Sequence, residues 1–156
     1  MKHAPIYLFL LRLALGALFL SSGVEKYHEG WMTNPEPLKT MLGGFHEHAS
    51  GYQLHYLDQA ALPYAHLWSK LICAGEAALG VALLLGCLAR FASLAGVLMV
   101  LNLYAANGSL FSLRFFASPW SALTLMTLVV LFLGRAGRWG GLDALFAKSN
   151  AKSFFW

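Results

Sequence analysis

The stretch at residues 66–88 reads HLWSKLICAGEAALGVALLLGCL, and past Lys70 its one charged residue is Glu76. At about 23 residues it has the length needed to cross the hydrocarbon core of a bilayer. In lipid every backbone N–H and C=O must be paired within the segment, so an α-helix is its natural conformation. Three further apolar runs flank it: 6–22, interrupted only by Arg12; 91–107, holding Asn102; and 119–134, with Thr124 and Thr127 as its notable polar residues. Each is about 16 to 23 residues long, near spanning length. The expected fold is an all-α membrane protein, a four-helix up-down bundle forming a single domain over residues 1–156.

Composition points the same way. Of the 156 residues 58% are hydrophobic and 12% are charged, whereas an ordinary soluble domain carries about 25% charged residues. The net charge of +4 comes from basic residues scattered at helix ends, not gathered on one polar face, so nucleic acid is not an expected partner. Cys73 and Cys87 would lie about 21 Å apart along one helix, too far for a bridge.

The first run has Lys2 and His3 before it and Ser21-Ser22-Gly23 after it, like a secretory signal. Arg12 breaks its apolar region and three spans follow, so it is expected to be retained. Lys2, Arg90, Arg135, Arg138, Lys148 and Lys152 fall on one side of the four runs, while Lys26, Lys39, Lys70 and Arg114 are spread along the other. That excess predicts cytoplasmic termini, with the 24–65 segment outside and the 135–156 tail inside. Tyr64, Trp68, Tyr104 and Trp120 mark the outer interface, and Phe91 and Trp139 the inner one. The 24–65 segment is too long for a structureless connection. Asn34-Pro35-Glu36 reads as a helix start, followed by Leu38, Met41, Leu42 and Phe45 at helical spacing. This predicts a short amphipathic helix on the outer face, with a second short helix around 52–61.

Short connections favour antiparallel neighbours. Ala74, Ala78, Ala82 and Gly86 put a small residue at every fourth position of 66–88, and Ala92 and Gly96 repeat the pattern in the next run. Close helix packing in lipid works through such residues, so this stripe is expected to face the bundle interior. Glu76 and Asn102 both lie about 18 Å from the inner ends of their helices. Thr124 and Ser21-Ser22 fall near the same level, so one polar layer is expected. Whether a cation reaches Glu76 decides if it is a neutral acid donating to Asn102 or half of an ion pair. Arg12, about 9 Å up its helix, is expected to lean toward the inner headgroups, since helical side chains tilt toward the N-terminus. Lys26 is the other cation near the layer. Two readings stand: these residues line a site for a quinone head group or a proton, or they form buried helix-bridging hydrogen bonds.

Four of the six histidines lie between the first two runs and a fifth, His66, opens the second. His46-Glu47-His48 points to different sides on a helix, and a solvated polar surface is expected there, with no metal. No span has a histidine near its middle to ligate a haem. Asn107-Gly108-Ser109 matches a glycosylation acceptor, a pattern frequent by chance.

Several motifs in order resemble the DoxX/DoxD family of bacterial and archaeal membrane proteins. They are Arg12-x-x-x-Gly16 with Phe19-Leu20-Ser21-Ser22-Gly23-x-x-Lys26, and Gly75-Glu76-x-x-x-Gly80-x-x-Leu83-Leu84-Leu85-Gly86-x-x-x-Arg90. Asn102-Leu103-Tyr104 and Gly134-Arg135-x-Gly137-Arg138-x-x-Gly141-Leu142-Asp143 complete the set. Pro63-Tyr64-Ala65-His66 resembles the subgroup named for the small subunit of thiosulfate:quinone oxidoreductase. The resemblance implies a membrane subunit of a redox complex, passing electrons from a sulfur compound to quinone with a partner protein. Glu76 would be the catalytic residue, and Arg12, Lys26, Asn102, Thr124, Tyr104 and Trp68 the quinone-binding ones. Quinone is the implied cofactor; membrane lipid and a protein of an electron-transport complex are the implied partners. Two alternatives remain: a non-catalytic accessory or assembly subunit of a respiratory or photosynthetic complex, and a small proton-coupled transporter.

Overall fold

The computed structural model describes residues 4–110, 119–138 and 140–144, and among these the backbone forms helices and turns with no strand. In chain order they are α1 (Ala4–His28), α2 (Glu36–His46), α3 (Tyr52–Tyr56) running on into a π-helical turn at Leu57–Ala61, α4 (Ala65–Leu85), α5 (Ala89–Ala106) and α6 (Pro119–Leu133). A 3-10 turn at Ala136–Arg138 follows. α1, α4 and α5 are long and apolar enough to cross a membrane. Their 25, 21 and 18 residues reach about 38, 32 and 27 Å. α6 is apolar but has 15 residues, about 22 Å, which is less than the core thickness. Leu10, Leu67, Leu98, Leu123 and Leu133, on four different helices, are each more than half exposed. An apolar surface all round the bundle belongs against lipid, not water.

α1 lies along α4 in the most extensive helix pair, and α5 lies along α6; α4 and α5 meet far less, although a short turn joins them. The α1–α4 seam is built on Gly16 and Gly23 facing Ala77, Gly80 and Leu84. A Cβ on Gly80 would run into the backbone of Leu20, and one on Gly23 would sit 2.5 Å from the Ala77 nitrogen. This is close approach through small residues, but not through the expected ones. Ala74 and Ala78 are exposed, Ala82 is half-buried, and only Gly86 of that stripe is buried. Residues four apart rotate by about 40° per step at 3.6 residues per turn, so the stripe winds off the contact face. On α5, Ala92 and Gly96 are buried as expected, Gly96 against Leu128 of α6.

α1 continues past residue 22 to His28 because its last turns lie on α4, where Gly23 meets Ala77 and Lys26 meets Glu76. The chain then folds back over this end of the bundle, here called the loop end. The Asn34 side chain accepts a hydrogen bond from the Glu36 N–H at 3.0 Å and so starts α2. Leu38 and Leu42 are buried with Trp31, Leu57, Ala61 and Ala65 in a second core, with Met41 and Phe45 packed at its edge. Three side-chain bonds fasten this cap. Trp68 Nε1 donates to the Ala60 carbonyl at 3.0 Å, Gln53 Nε2 to Ala106 at 3.1 Å, and Ser69 Oγ to Trp31 at 2.5 Å.

The opposite, tail end is closed by the segment after α6. Gly86 ends α4 in the left-handed conformation with φ 64°, and Leu88, at φ 50°, precedes α5. The Asp143 carboxylate, 1% exposed, accepts from Leu88 N at 2.6 Å and Ala89 N at 2.9 Å, filling the open donors at the start of α5. The Asp143 and Leu142 N–H groups donate to the Gly86 and Leu85 carbonyls at 2.9 and 3.1 Å. The tail is thereby clipped to the α4–α5 turn at both ends of the turn.

Candidate functional site

α4 and α5 are joined by a short turn at the tail end but pack thinly against each other. The cap of α2 and the Leu57–Ala61 turn roofs the space between them, leaving a cavity of about 400 Å³. Its walls are mainly apolar: Phe19, Trp31, Leu38, Leu42, Ile72, Met99 and Val100 among others. Four polar side chains interrupt them: Lys26 of α1, Glu76 of α4, Asn102 of α5 and Tyr56 of α3. None of the described side chains of α6 lines the space.

Glu76 and Lys26 form an ion pair, Oε2 to Nζ 2.7 Å, with 15% and 21% of their side chains exposed. Ser22 closes a triangle: its hydroxyl donates to the same Glu76 oxygen at 2.8 Å and accepts from Lys26 at 2.7 Å. Ser22 and Lys26 are four apart on α1, so they share the face turned to α4. The Lys26 ammonium also stands 5.5 Å from the Trp31 ring centroid, in cation–π range. An ammonium has three protons, and two are used here. Glu76 Oε1 accepts no hydrogen bond among the described residues. Asn102 Nδ2 donates to the Tyr56 hydroxyl at 2.8 Å, leaving the phenol proton and the second amide proton for other acceptors. A partly desolvated but internally neutral ion pair thus shares one apolar chamber with an amide–phenol pair.

Of the residues singled out from sequence, Glu76, Lys26, Asn102 and Trp68 come together here. Asn102 is bonded to Tyr56, not to Glu76. Arg12, Thr124 and Tyr104 are not among the lining residues. Thr124 lies half-buried on α6. Arg12 turns toward the tail end, as expected from its tilt, but it ends within protein and not among headgroups. It is fully buried, donates to the Ala136 and Gly140 carbonyls at 3.4 and 3.2 Å, and lies over the Phe9 ring at 5.2 Å. Gly86, Gly137 and Gly141 leave the room it and Asp143 occupy: a Cβ on Gly86 or Gly141 would strike the Arg12 guanidinium, and one on Gly137 the Asp143 carboxylate. The glycine-rich motif after α6 therefore builds the tail clip.

Tyr56 and Trp31 escaped sequence reasoning. Their only signal was an aromatic residue in a segment expected to be folded, and their place depends on where the cap lands. Among the described residues no group of three or more His, Cys, Asp or Glu could hold a metal ion. His46 pairs with Asp58 at 2.9 Å on the outside of the cap. His48 lines a separate polar pocket beside Gln53, Asn107 and Ser109.

Neither a curated protein nor a solved structure matches the chain. The DoxX family model does, over residues 7–108 of the 156. That segment contains every residue lining the cavity, from Phe19 to Ala106, and stops short of the tail clip. The chain belongs to the DoxX family and is a multi-pass membrane protein.

Proposed function

We propose that this chain is the quinone-holding membrane subunit of a redox complex, whose partner protein supplies electrons drawn from a sulfur compound. The observation that carries the reading is the 400 Å³ apolar chamber with the Lys26–Glu76 pair and the Asn102–Tyr56 pair in its wall. Its volume lies in the usual range of small-molecule sites, about 300–1,000 Å³. Its polar groups offer spare donors from Lys26, Asn102 and Tyr56, which suit the oxygens of a quinone ring. Bound quinone supplies a carrier that takes up two electrons and two protons. Lys26, Asn102 and Tyr56 would hydrogen-bond its oxygens, Trp68 and Trp31 would line the walls about it, and Glu76, with one carboxylate oxygen to spare, would relay the two protons in turn. A thiosulfate-like anion does not suit the chamber, because Glu76 already neutralises its one described cation. Oxidation of the sulfur compound is therefore assigned to the partner.

In this reading α6 is the fourth span. The loop-end cap faces outward with α2 as its amphipathic helix, and the termini lie on the cytoplasmic side of a bacterial inner membrane, following the basic residues. Arg12, Thr124 and Tyr104 have no direct part in the site.

The accessory-subunit reading draws on the same triangle, which is complete without a ligand and pins α1 to α4. A proton-coupled transporter is disfavoured by the apolar layer of Leu15, Leu79, Leu83, Leu128 and Leu131 in the core of the bundle, which offers no polar side chain to relay a proton. Glu76→Gln tests the first reading: it preserves size and an oxygen acceptor for Ser22 and Lys26 but removes the carboxylate that could take up and pass on a proton. Quinone reduction in membranes should fall while the amount of this chain stays constant. An unchanged rate refutes the catalytic assignment, and a parallel loss of a partner complex on deletion, with no kinetic effect of Glu76→Gln, favours the accessory role.

A further inference from the structure

Three leucines belong to two environments at once. Leu71 of α4 and Leu98 and Leu103 of α5 line the cavity, yet they are 51%, 61% and 41% exposed. Counted from the Gly86–Leu88 turn, Leu71 and Leu103 each stand about 22 Å along their antiparallel helices, so the two cavity-lining leucines lie at one level. Nearer the turn the helices touch, where a Cβ on Gly75 would lie 3.4 Å from the Met99 sulfur. Above, Gln53 bonded to the Ala106 carbonyl ties the cap to α5. The α1–α4 seam offers no comparable gap, since Gly23 and Gly80 are filled by the opposing backbone.

Resting on the reading of the cavity as a quinone site, we infer that it is loaded sideways from the bilayer, between α4 and α5. The occupant is a neutral lipid with a flat, oxygen-bearing head and one long apolar tail. The head lies among Lys26, Asn102 and Tyr56, and the tail leaves over Leu71, Leu98 and Leu103 into the surrounding lipid. The chamber accommodates a ring and the first units of a tail but not a long tail entire, so the remainder must pass out through an apolar opening. These three leucines frame such an opening at a depth where the surroundings are hydrocarbon. Charge selects the head: Lys26 is balanced by Glu76, so a phosphate-bearing lipid would bring an uncompensated negative charge into an apolar chamber.

The test uses the full chain in phosphatidylcholine nanodiscs and two photoreactive quinones. One carries a diazirine on its first isoprene unit; the other is a tail-less azidoquinone. Labelled residues are mapped by mass spectrometry, with and without excess unlabelled quinone. The tail probe should label residues at or beside 71, 98 and 103, competitively. Leu98→Trp, a lipid-facing exchange that leaves the core untouched, should reduce tail-probe labelling at least tenfold while the tail-less probe still labels beside Lys26 or Tyr56. Competitive head labelling with the tail label on α1, α2 or α6 overturns the side opening and leaves the quinone site standing. Equal labelling by the tail probe in Leu98→Trp and the parent overturns it as well. No competitive labelling by either probe overturns both.

Discussion

Replacing Asp143 by alanine should be among the most damaging single changes in the chain, although the residue lies beyond the 7–108 segment that matches the family model. Its carboxylate takes two backbone N–H groups, those of Leu88 and Ala89, at 2.6 and 2.9 Å. A hydrogen bond to a charged acceptor contributes about 1.5–3 kcal/mol. The two losses are unequal. Leu88 is 41% exposed, so water can reach its freed N–H and recover much of that bond. Ala89 is fully buried, so its N–H stays unpaired and bears the whole desolvation cost. The Arg12 guanidinium, buried in the same glycine-lined space, also loses the only buried carboxylate at this end among the described residues. Together these give a loss of about 3–5 kcal/mol. Thermal unfolding of the purified chain in detergent, followed by circular dichroism, should show Tm falling by on the order of 10 °C. Asp143→Asn restores one acceptor and should recover about half of the loss. An unchanged Tm for Asp143→Ala would refute the idea that the tail clips the α4–α5 turn.

Leu88 is held at φ 50° with an exposed side chain, so Leu88→Gly should stabilise by about 0.5–1 kcal/mol; a clear drop in Tm would count against the strain assigned to it. Ala77 and Ala78 are neighbours turned about 100° apart on α4, Ala77 against Gly23 and Ala78 exposed. Ala78→Leu should shift stability by no more than about 0.5 kcal/mol, whereas Ala77→Leu, driven against Gly23, should cost about 1–3 kcal/mol or block folding; equal behaviour of the two would contradict the seam. Lys26→Met strands Glu76 in a partly desolvated site and should cost about 1–3 kcal/mol. Adding Glu76→Gln should return most of that, and a double variant as unstable as the sum of its singles would show that the two groups do not interact.

Hydropathy located α1, α4, α5 and α6 but ended the first run six residues short of His28. α1 outruns its apolar stretch because Gly23 and Lys26 find partners on α4, a tertiary gain that no local pattern carries. That same extra turn brings Lys26 onto the face of Ser22, so Lys26 and not Arg12 pairs with Glu76. The four-residue alanine stripe misled because 4 is not the helical period: Gly86 reaches the seam, and Ala78 and Ala74 have wound onto the outer surface. Glu76 and Asn102 were legible as polar residues at one depth, Lys26 as a cation near that layer and Trp68 as an interface aromatic, whereas Thr124, expected at the same depth, is not among the residues lining the cavity. Tyr56 and Trp31 were not legible, since the cap that delivers them is placed by long-range packing of Leu38, Leu42 and Leu57. Asp143 stood in a recognisable motif, yet its task depends on a turn more than fifty residues away.

The most direct test of the central claim is to isolate the chain from native membranes in mild detergent and analyse by mass spectrometry the lipids and proteins that travel with it. Near-stoichiometric quinone on the parent chain, together with a redox partner, is the predicted result. Tyr56→Phe with Asn102→Leu should lose that quinone while the chain is recovered in equal amount. A parent chain that carries none even when quinone is supplied in excess, or a double variant that holds as much as the parent, would contradict the assignment of the loop-end cavity as a quinone site.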